Sequence, residues 1–235
     1  SRIEKKQGVW DEKEIAHYVK LLKCLKSLNF TVMLTLWHFT LPKWVAQKGG
    51  WENGQTIKYF LRFVEKVVPE LKNYVDLWIT INEPGIYVFM SYMGGSEEGP
   101  FPPAKKSNIS AIKVTWNLAQ THKKAYRLLH KIIPNSKVGI AQNVTSFDAF
   151  HKHSILEMIA VGLSDLVTNH SFYFLTKGYH DFLGLNYYFH YRFNLKKGLI
   201  PEIANPEKNK MDISDLGWEI YPEGLFNALT DLSDG

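Results

Sequence analysis

The sequence has one cysteine, Cys24, among 235 residues. A lone cysteine forms no internal disulfide, and no Cys/His spacing suited to a zinc site occurs. Such usage fits a reducing compartment. Cys24 lies in the helical-looking run Leu21-Leu22-Lys23-Cys24-Leu25 and reads as a buried, inert thiol. No stretch of about 18 apolar residues is present, so no helical membrane span and no membrane partner are expected. No secretory leader pattern is visible, and the expected location is the cytoplasm. No Gly-x-Gly-x-x-Gly follows an apolar run, which weakens a dinucleotide-binding reading. Acidic residues number 23 against 28 Lys and Arg, for a formal net charge of +5. The densest basic clusters are the pairs Lys5-Lys6, Lys105-Lys106, Lys123-Lys124 and Lys196-Lys197. None is the long like-charge block of a nucleic-acid arm, so these pairs read as solvated faces and no nucleic-acid partner is expected.

Aromatic residues are plentiful: 7 Trp, 12 Tyr and 14 Phe make 14% of the chain. Flat apolar side chains suit either a large aromatic core or a sugar-binding cleft. Asp11-Glu12-Lys13-Glu14 has the form of a capping box, followed by Ile15, Tyr18, Leu22 and Leu25 at helical spacing, which predicts a helix over 11–28. Residues 30–36 read as a buried strand. Asn53 caps a second helix with the stripe Ile57, Phe60, Leu61, Val64, Val68 and Leu71, kinked or shortened at Pro69. Residues 77–81 form the second strand. Ser107 caps a long helix with an expected inner face of Ile112, Trp116, Ala119, Tyr126, Leu129 and Ile133. Residues 137–141 and 182–187 form two more strands, with helical character over about 152–175 between them. A last helix starts near Pro222, and 194–216 is a long polar loop. Asn-x-Ser/Thr triplets begin at Asn108, Asn143 and Asn169, and without a leader they read as chance.

Alternating helices and near-continuously apolar strands imply a parallel sheet covered by helices. The alternation alone does not separate a (β/α)8 barrel from a doubly wound sheet. The strand ends favour the barrel. His38 follows the first strand, Asn82 and Glu83 the second, Gln142 and Asn143 the third, and Asn186 and Tyr188 end the fourth. A barrel gathers such carboxyl-terminal ends around one pocket.

Thr80-Ile81-Asn82-Glu83-Pro84 carries the most chemical information. A carboxylate at the end of a buried strand loses solvation. A carboxyl that keeps its proton near neutral pH can give it to a leaving group. The segment resembles the Thr-x-Asn-Glu-Pro signature of family 1 glycoside hydrolases. Ser1-Arg2-Ile3 resembles the end of that family's second strand, and Trp37-His38-Phe39-Thr40-Leu41-Pro42 its His-aromatic-x-Leu-Pro segment. Gly49-Gly50-Trp51, Asp181-Phe182-Leu183-Gly184-Leu185-Asn186-Tyr187-Tyr188 and Gly217-Trp218-Glu219-Ile220-Tyr221-Pro222-Glu223-Gly224 follow in family order.

The resemblance implies an incomplete (β/α)8 barrel of about four complete βα units plus the edge of another. It implies one partial barrel domain over 1–235. The implied reaction is β-glycoside hydrolysis with retention, on a β-glucoside, β-galactoside or oligosaccharide, without metal or organic cofactor. Glu83 is then the general acid/base. His38 and Asn82 bind sugar hydroxyls, Asn186 shapes the pocket, and Tyr188 hydrogen-bonds the nucleophile. Phe39 stands where many relatives have Trp. The family nucleophile lies in an Ile/Val-Thr-Glu-Asn-Gly segment on the seventh strand, and residues 1–235 contain no such segment. Glu52-Asn53-Gly54 has no strand before it and reads as loop and cap; Glu219 and Glu223 fall at non-catalytic family positions. The expectation is therefore a chain inactive alone, paired with a complementing chain or self-associated through open strand edges. The alternative is a non-catalytic carbohydrate-binding or scaffold protein derived from the family.

Overall fold

The structure is a computed structural model that describes residues 2–95, 99–195 and 212–233. Its elements, in chain order, are α1 (Glu12–Ser27), β1 (Met33–Trp37), α2 (Lys43–Gln47), α3 (Gln55–Leu71), β2 (Leu77–Asn82), α4 (Pro84–Tyr92), α5 (Asn108–Ile132), β3 (Lys137–Ala149), α6 (Ile155–Asp165), α7 (Ser171–Thr176), β4 (Phe182–Phe193) and α8 (Pro222–Ser233). A 3-10 turn spans Gly50–Glu52 and a π-helical turn spans Leu166–His170. The strands form one sheet in the order β1-β2-β3-β4, with β1 parallel to β2 and β2 parallel to β3. Spatial order equal to chain order is what a barrel wall requires; a doubly wound sheet reverses at a switch point. The fold is an incomplete α/β barrel.

The chain divides into two compact units, one of 1–142 with 175–184 and one of 143–174 with 185–235. In the first, Asp11 begins α1 by accepting the amides of Lys13 and Glu14. The Ser107 hydroxyl begins α5 by accepting the Ser110 amide. α3 buries Ile57, Phe60, Val64, Val67, Val68 and Leu71, a stripe in which each side chain contributes roughly 1.5–3 kcal/mol. Pro69 lies within α3, which ends two residues later at Leu71. The Asn53 side chain, two residues ahead of the helix, accepts the amide of its first residue Gln55, while Gly54 rather than Asn53 holds the cap position.

Two aspartates set strand register by the same device. Asp76, just before β2, accepts the Val32 amide at 2.7 Å, while its own amide donates to the Val32 carbonyl at 2.9 Å. Asp181, just before β4, does the same with Val138, at 2.8 Å both ways. Close approach at β3 demands glycine. A Cβ on Gly139 would lie 2.5 Å from the Phe182 carbonyl oxygen and 2.8 Å from its ring. Gly139→Ala is therefore expected to destabilise the protein by about 1–3 kcal/mol, read as a lowered urea midpoint with an unchanged slope.

The second unit is held by ion pairs. Arg192 grips Glu219 through both carboxylate oxygens, at 2.6 and 2.9 Å. His190 is buried, 2.8 Å from Asp148, with the Tyr221 ring stacked 3.9 Å above it. Asn169 clamps Thr145 of β3 through both its amide nitrogen and its oxygen.

Four expectations change. Cys24 is exposed, because α1 buries Ile15 and Leu22 and turns the thiol outward. The inner face of α5 keeps the expected Ala119 and Leu129 and adds Ala111, Val114, Leu118 and Ala125, whereas Ile112 and Trp116 are 71% and 54% exposed. β1 starts at Met33, and Phe30 lies exposed in the preceding turn. β3 and β4 run well past Ala141 and Tyr187. Asn143 and Asn169 are buried, which agrees with chance triplets there, and Asn108 is exposed. Of the loop expected over 194–216, residues 196–211 lie outside the described residues. No helix among the described residues is long and apolar enough to cross a membrane.

Candidate active site

The end of β2 is built around an unusual backbone. Glu83 has φ 43° and ψ 59°, the left-handed region that side chains other than glycine rarely occupy. That conformation turns the chain from strand into helix within one residue. Pro84 then takes the first helical position, where its missing N–H costs nothing. The Glu83 amide donates to the Ala141 carbonyl at 2.7 Å, and its carbonyl accepts the Tyr87 amide at 3.1 Å. Its side chain is buried, with the residue only 6% exposed. Holding a glutamate in this conformation costs of order 1–3 kcal/mol, so the neighbours impose it. Gly85 leaves room for the buried Gln142: a Cβ there would come within 3.2 Å of the Gln142 amide nitrogen.

Asn82 is buried, and its Nδ2 lies 3.3 Å from Nε2 of His38 at the end of β1. Asn82 has no lone pair on that nitrogen to offer, so Nδ2 donates and His38 Nε2 accepts. His38 itself is exposed. Phe39 is also left-handed, with φ 67°, and its ring stands edge-on to His38 at 4.9 Å. Trp37 packs edge-to-face on Trp51 at 5.2 Å and on Tyr87 at 5.0 Å, and its indole donates to the Thr40 carbonyl. A rigid aromatic floor thus supports the turn that carries His38.

Beside it opens a cleft of about 700 Å³ lined by Phe39, Tyr87, Tyr92, Phe101, Pro102 and Pro103, among others. Phe39 and Phe101 lie 5.3 Å apart. Glu52 also lines this cleft, ion-paired to Lys105 at 2.9 Å in a 3-10 turn, consistent with its reading as loop rather than nucleophile.

Behind β2, His122 of α5 is fully buried. Its Nε2 lies 2.7 Å from the Tyr179 carbonyl, which only accepts, so the proton sits on Nε2. Nδ1 therefore accepts the hydroxyl of Thr80, 2.6 Å away. Burial holds the imidazole neutral and pushes its pKa down to about 4. Sequence reading missed this residue. The signal was a histidine at a position of the apolar stripe Leu118, Ala125 and Leu129.

The structure thus brings together His38, Phe39, Asn82 and Glu83. Asn186 and Tyr188 lie on β4 in the second unit, Asn186 half-buried and Tyr188 43% exposed, its ring 6.0 Å from that of Trp218. Glu219 is fully engaged with Arg192, and Glu223 sits in the first turn of α8. Among the described residues, Asp165, His170 and Asp231 of the second unit have ligand atoms within 4.8 Å of one another.

Residues 2–173 match the model of glycosyl hydrolase family 1. The chain belongs to that family. Among curated proteins it is similar to the chloroplastic galactolipid galactosyltransferase SFR2 of Arabidopsis thaliana, 31% identical over 92% of this chain and 34% of that one. It is also similar to β-glucosidase A of Acetivibrio thermocellus, 27% identical over 94% and 56%. Among solved structures, a β-glycosidase from Pyrococcus horikoshii superposes with a TM-score of 0.84 at 28% identity, over all of this chain and 57% of that one. The chain therefore spans about a third to three-fifths of these family 1 relatives. Such coverage agrees with a barrel seen in part.

Proposed function

We propose that residues 1–235 are the acid/base-bearing part of a retaining β-glycosidase, in one barrel domain. The observation that carries this reading is Glu83, buried and held in a left-handed turn at the end of β2, next to Asn82 and its hydrogen bond to His38. In this reading Glu83 protonates the glycosidic oxygen as the bond breaks. It then removes a proton from the water that releases the sugar. Asn82 and His38 fix the hydroxyls of the first sugar, and Phe39 with the adjoining cleft receives the leaving group. The family resemblance adds Asn186 as a pocket-shaping residue and Tyr188 as a hydrogen-bond partner of the nucleophile carboxylate. Retention needs that second carboxylate about 5–5.5 Å from the first. Here it comes from outside residues 1–235, in further chain or in a complementing chain.

The test is the stereochemistry of an aryl β-glucoside or β-galactoside hydrolysed by the purified protein and followed by proton NMR. The β-anomer should appear first. First appearance of the α-anomer means inversion and removes the reading; so does the absence of turnover in a sample that contains the Thr-Glu-Asn-Gly segment.

A second outcome of the same chemistry is favoured by one relative. The Arabidopsis protein is named a galactosyltransferase. A sugar hydroxyl in place of water would turn hydrolysis into transfer with the same acid/base. Product analysis with added sugar acceptor separates the two.

A further inference from the structure

The outer face of α5 has a chemistry that the proposed reaction does not use. Ile109, Ile112 and Trp116 are 82%, 71% and 54% exposed. Lys113, Lys124 and Lys131 are exposed as well. At about 100° per residue these six side chains fall within an arc of about 120°. The 25 residues of α5 include no aspartate or glutamate. The opposite face is already occupied, because Ala111, Val114, Leu118, Ala125 and Leu129 are buried in the core. Among the described residues the outer stripe therefore takes no part in the core. Its apolar members gather in the first two and a half turns, and two of its three lysines lie further along.

We infer that this face docks the protein on an anionic lipid surface. Large apolar side chains exposed at helical spacing lose water on entering the headgroup boundary. An interfacial helix combines such a stripe with flanking lysines, and tryptophan is enriched at that depth. Charge selects the partner. A stripe carrying exposed Lys113, Lys124, Arg127 and Lys131 and no anion of its own, on a chain of net charge +5, complements phosphatidylserine-type headgroups. Lys105 is left out because it forms an ion pair with Glu52, a carboxylate that Lys113 faces only at longer range. The helix runs back against the strands, so its apolar first turns lie at the end of the sheet where β2 delivers Glu83. Docking would bring that end of the first unit to the lipid surface. It is independent of the chemistry at Glu83.

The experiment is co-sedimentation with vesicles of phosphatidylcholine, with and without about one-third phosphatidylserine. Binding is expected only to the anionic vesicles, weakening as salt rises. Each lysine near such a surface is worth roughly fivefold in binding, so Lys113→Gln/Lys124→Gln/Lys131→Gln should lose about a hundredfold. Ile109→Ser/Ile112→Ser/Trp116→Ser should also release the protein, with circular dichroism and unfolding midpoint close to wild type. Several results would overturn the inference: no anionic binding, equal binding to both vesicles, or tight binding by either triple variant. Retention on a soluble polyanion that survives the apolar substitutions would point to nucleic acid instead. Self-association abolished by those substitutions, without lipid binding, would point to a second copy.

Discussion

In a sample that also contains the nucleophile segment, Glu83→Gln should cut kcat/KM for an alkyl β-glycoside by about 10²–10⁴, the range contributed by a positioned general acid–base. Glutamine keeps the size and the polar contacts of the buried site but carries no transferable proton. The pattern across substrates is more informative than the loss itself. A dinitrophenyl leaving group needs little protonation, so its release should be almost unaffected. Attack of water then becomes limiting because its base is gone. Azide needs no base and should restore turnover, with a glycosyl azide as product. Equal losses on all substrates with no azide effect would mean that Glu83 positions the substrate and moves no proton. Wild-type turnover in the variant would remove Glu83 from the mechanism.

The second large effect is a pH dependence of stability through His122. Its pKa lies at about 4 in the folded protein against an ordinary 6.5, chiefly because burial disfavours the charged ring. Between those values the unfolded chain binds a proton that the native state does not. Stability therefore rises with pH across this window and is lost as pH falls from 6.5 towards 4. At 1.36 kcal/mol per pKa unit the loss attributable to His122 is about 3 kcal/mol. His180, stacked on it, is also depressed by burial and adds to the same window. Urea unfolding at pH 7, 5.5 and 4 should show this slope in the wild type and a flatter one in His122→Gln. Parallel slopes in the two proteins would refute the assignment. Because Nδ1 accepts from Thr80, protonation also breaks a bond to the strand that ends in Asn82 and Glu83. Activity should then fall with stability rather than after it.

Much of this was legible in the residues. Asp11 and Ser107 announce their helices because a cap needs only local geometry. The Thr80–Pro84 segment announces the reactive strand end. The inner face of α5 is only partly legible, at Ala119 and Leu129, because apolar residues occur on both sides of that helix. Its small residues Ala111 and Ala125 face the core, while the bulky Ile112 and Trp116 face water. Side-chain size points to burial on the wrong side where spacing alone is ambiguous. In the sequence β3 ends at Ala141, because Gln142, Asn143, Thr145 and Ser146 interrupt the apolar run as a loop would. They are buried polar residues of a strand that continues. Pattern cannot distinguish the two when tertiary pairing, not hydrophobicity, extends the strand. The left-handed backbone at Glu83 was equally invisible, since local preference before proline points elsewhere.

That backbone separates what folding rewards from what chemistry rewards. At φ 43° glycine would relax the turn, and it would remove a buried carboxyl as well. Selection acting on heat resistance alone has no reason to keep glutamate at this position and two reasons to discard it. A lineage that lost its substrate would drift at residue 83 before it drifted in the aromatic floor beneath, so the identity of that one side chain serves as a record of whether catalysis is still being maintained.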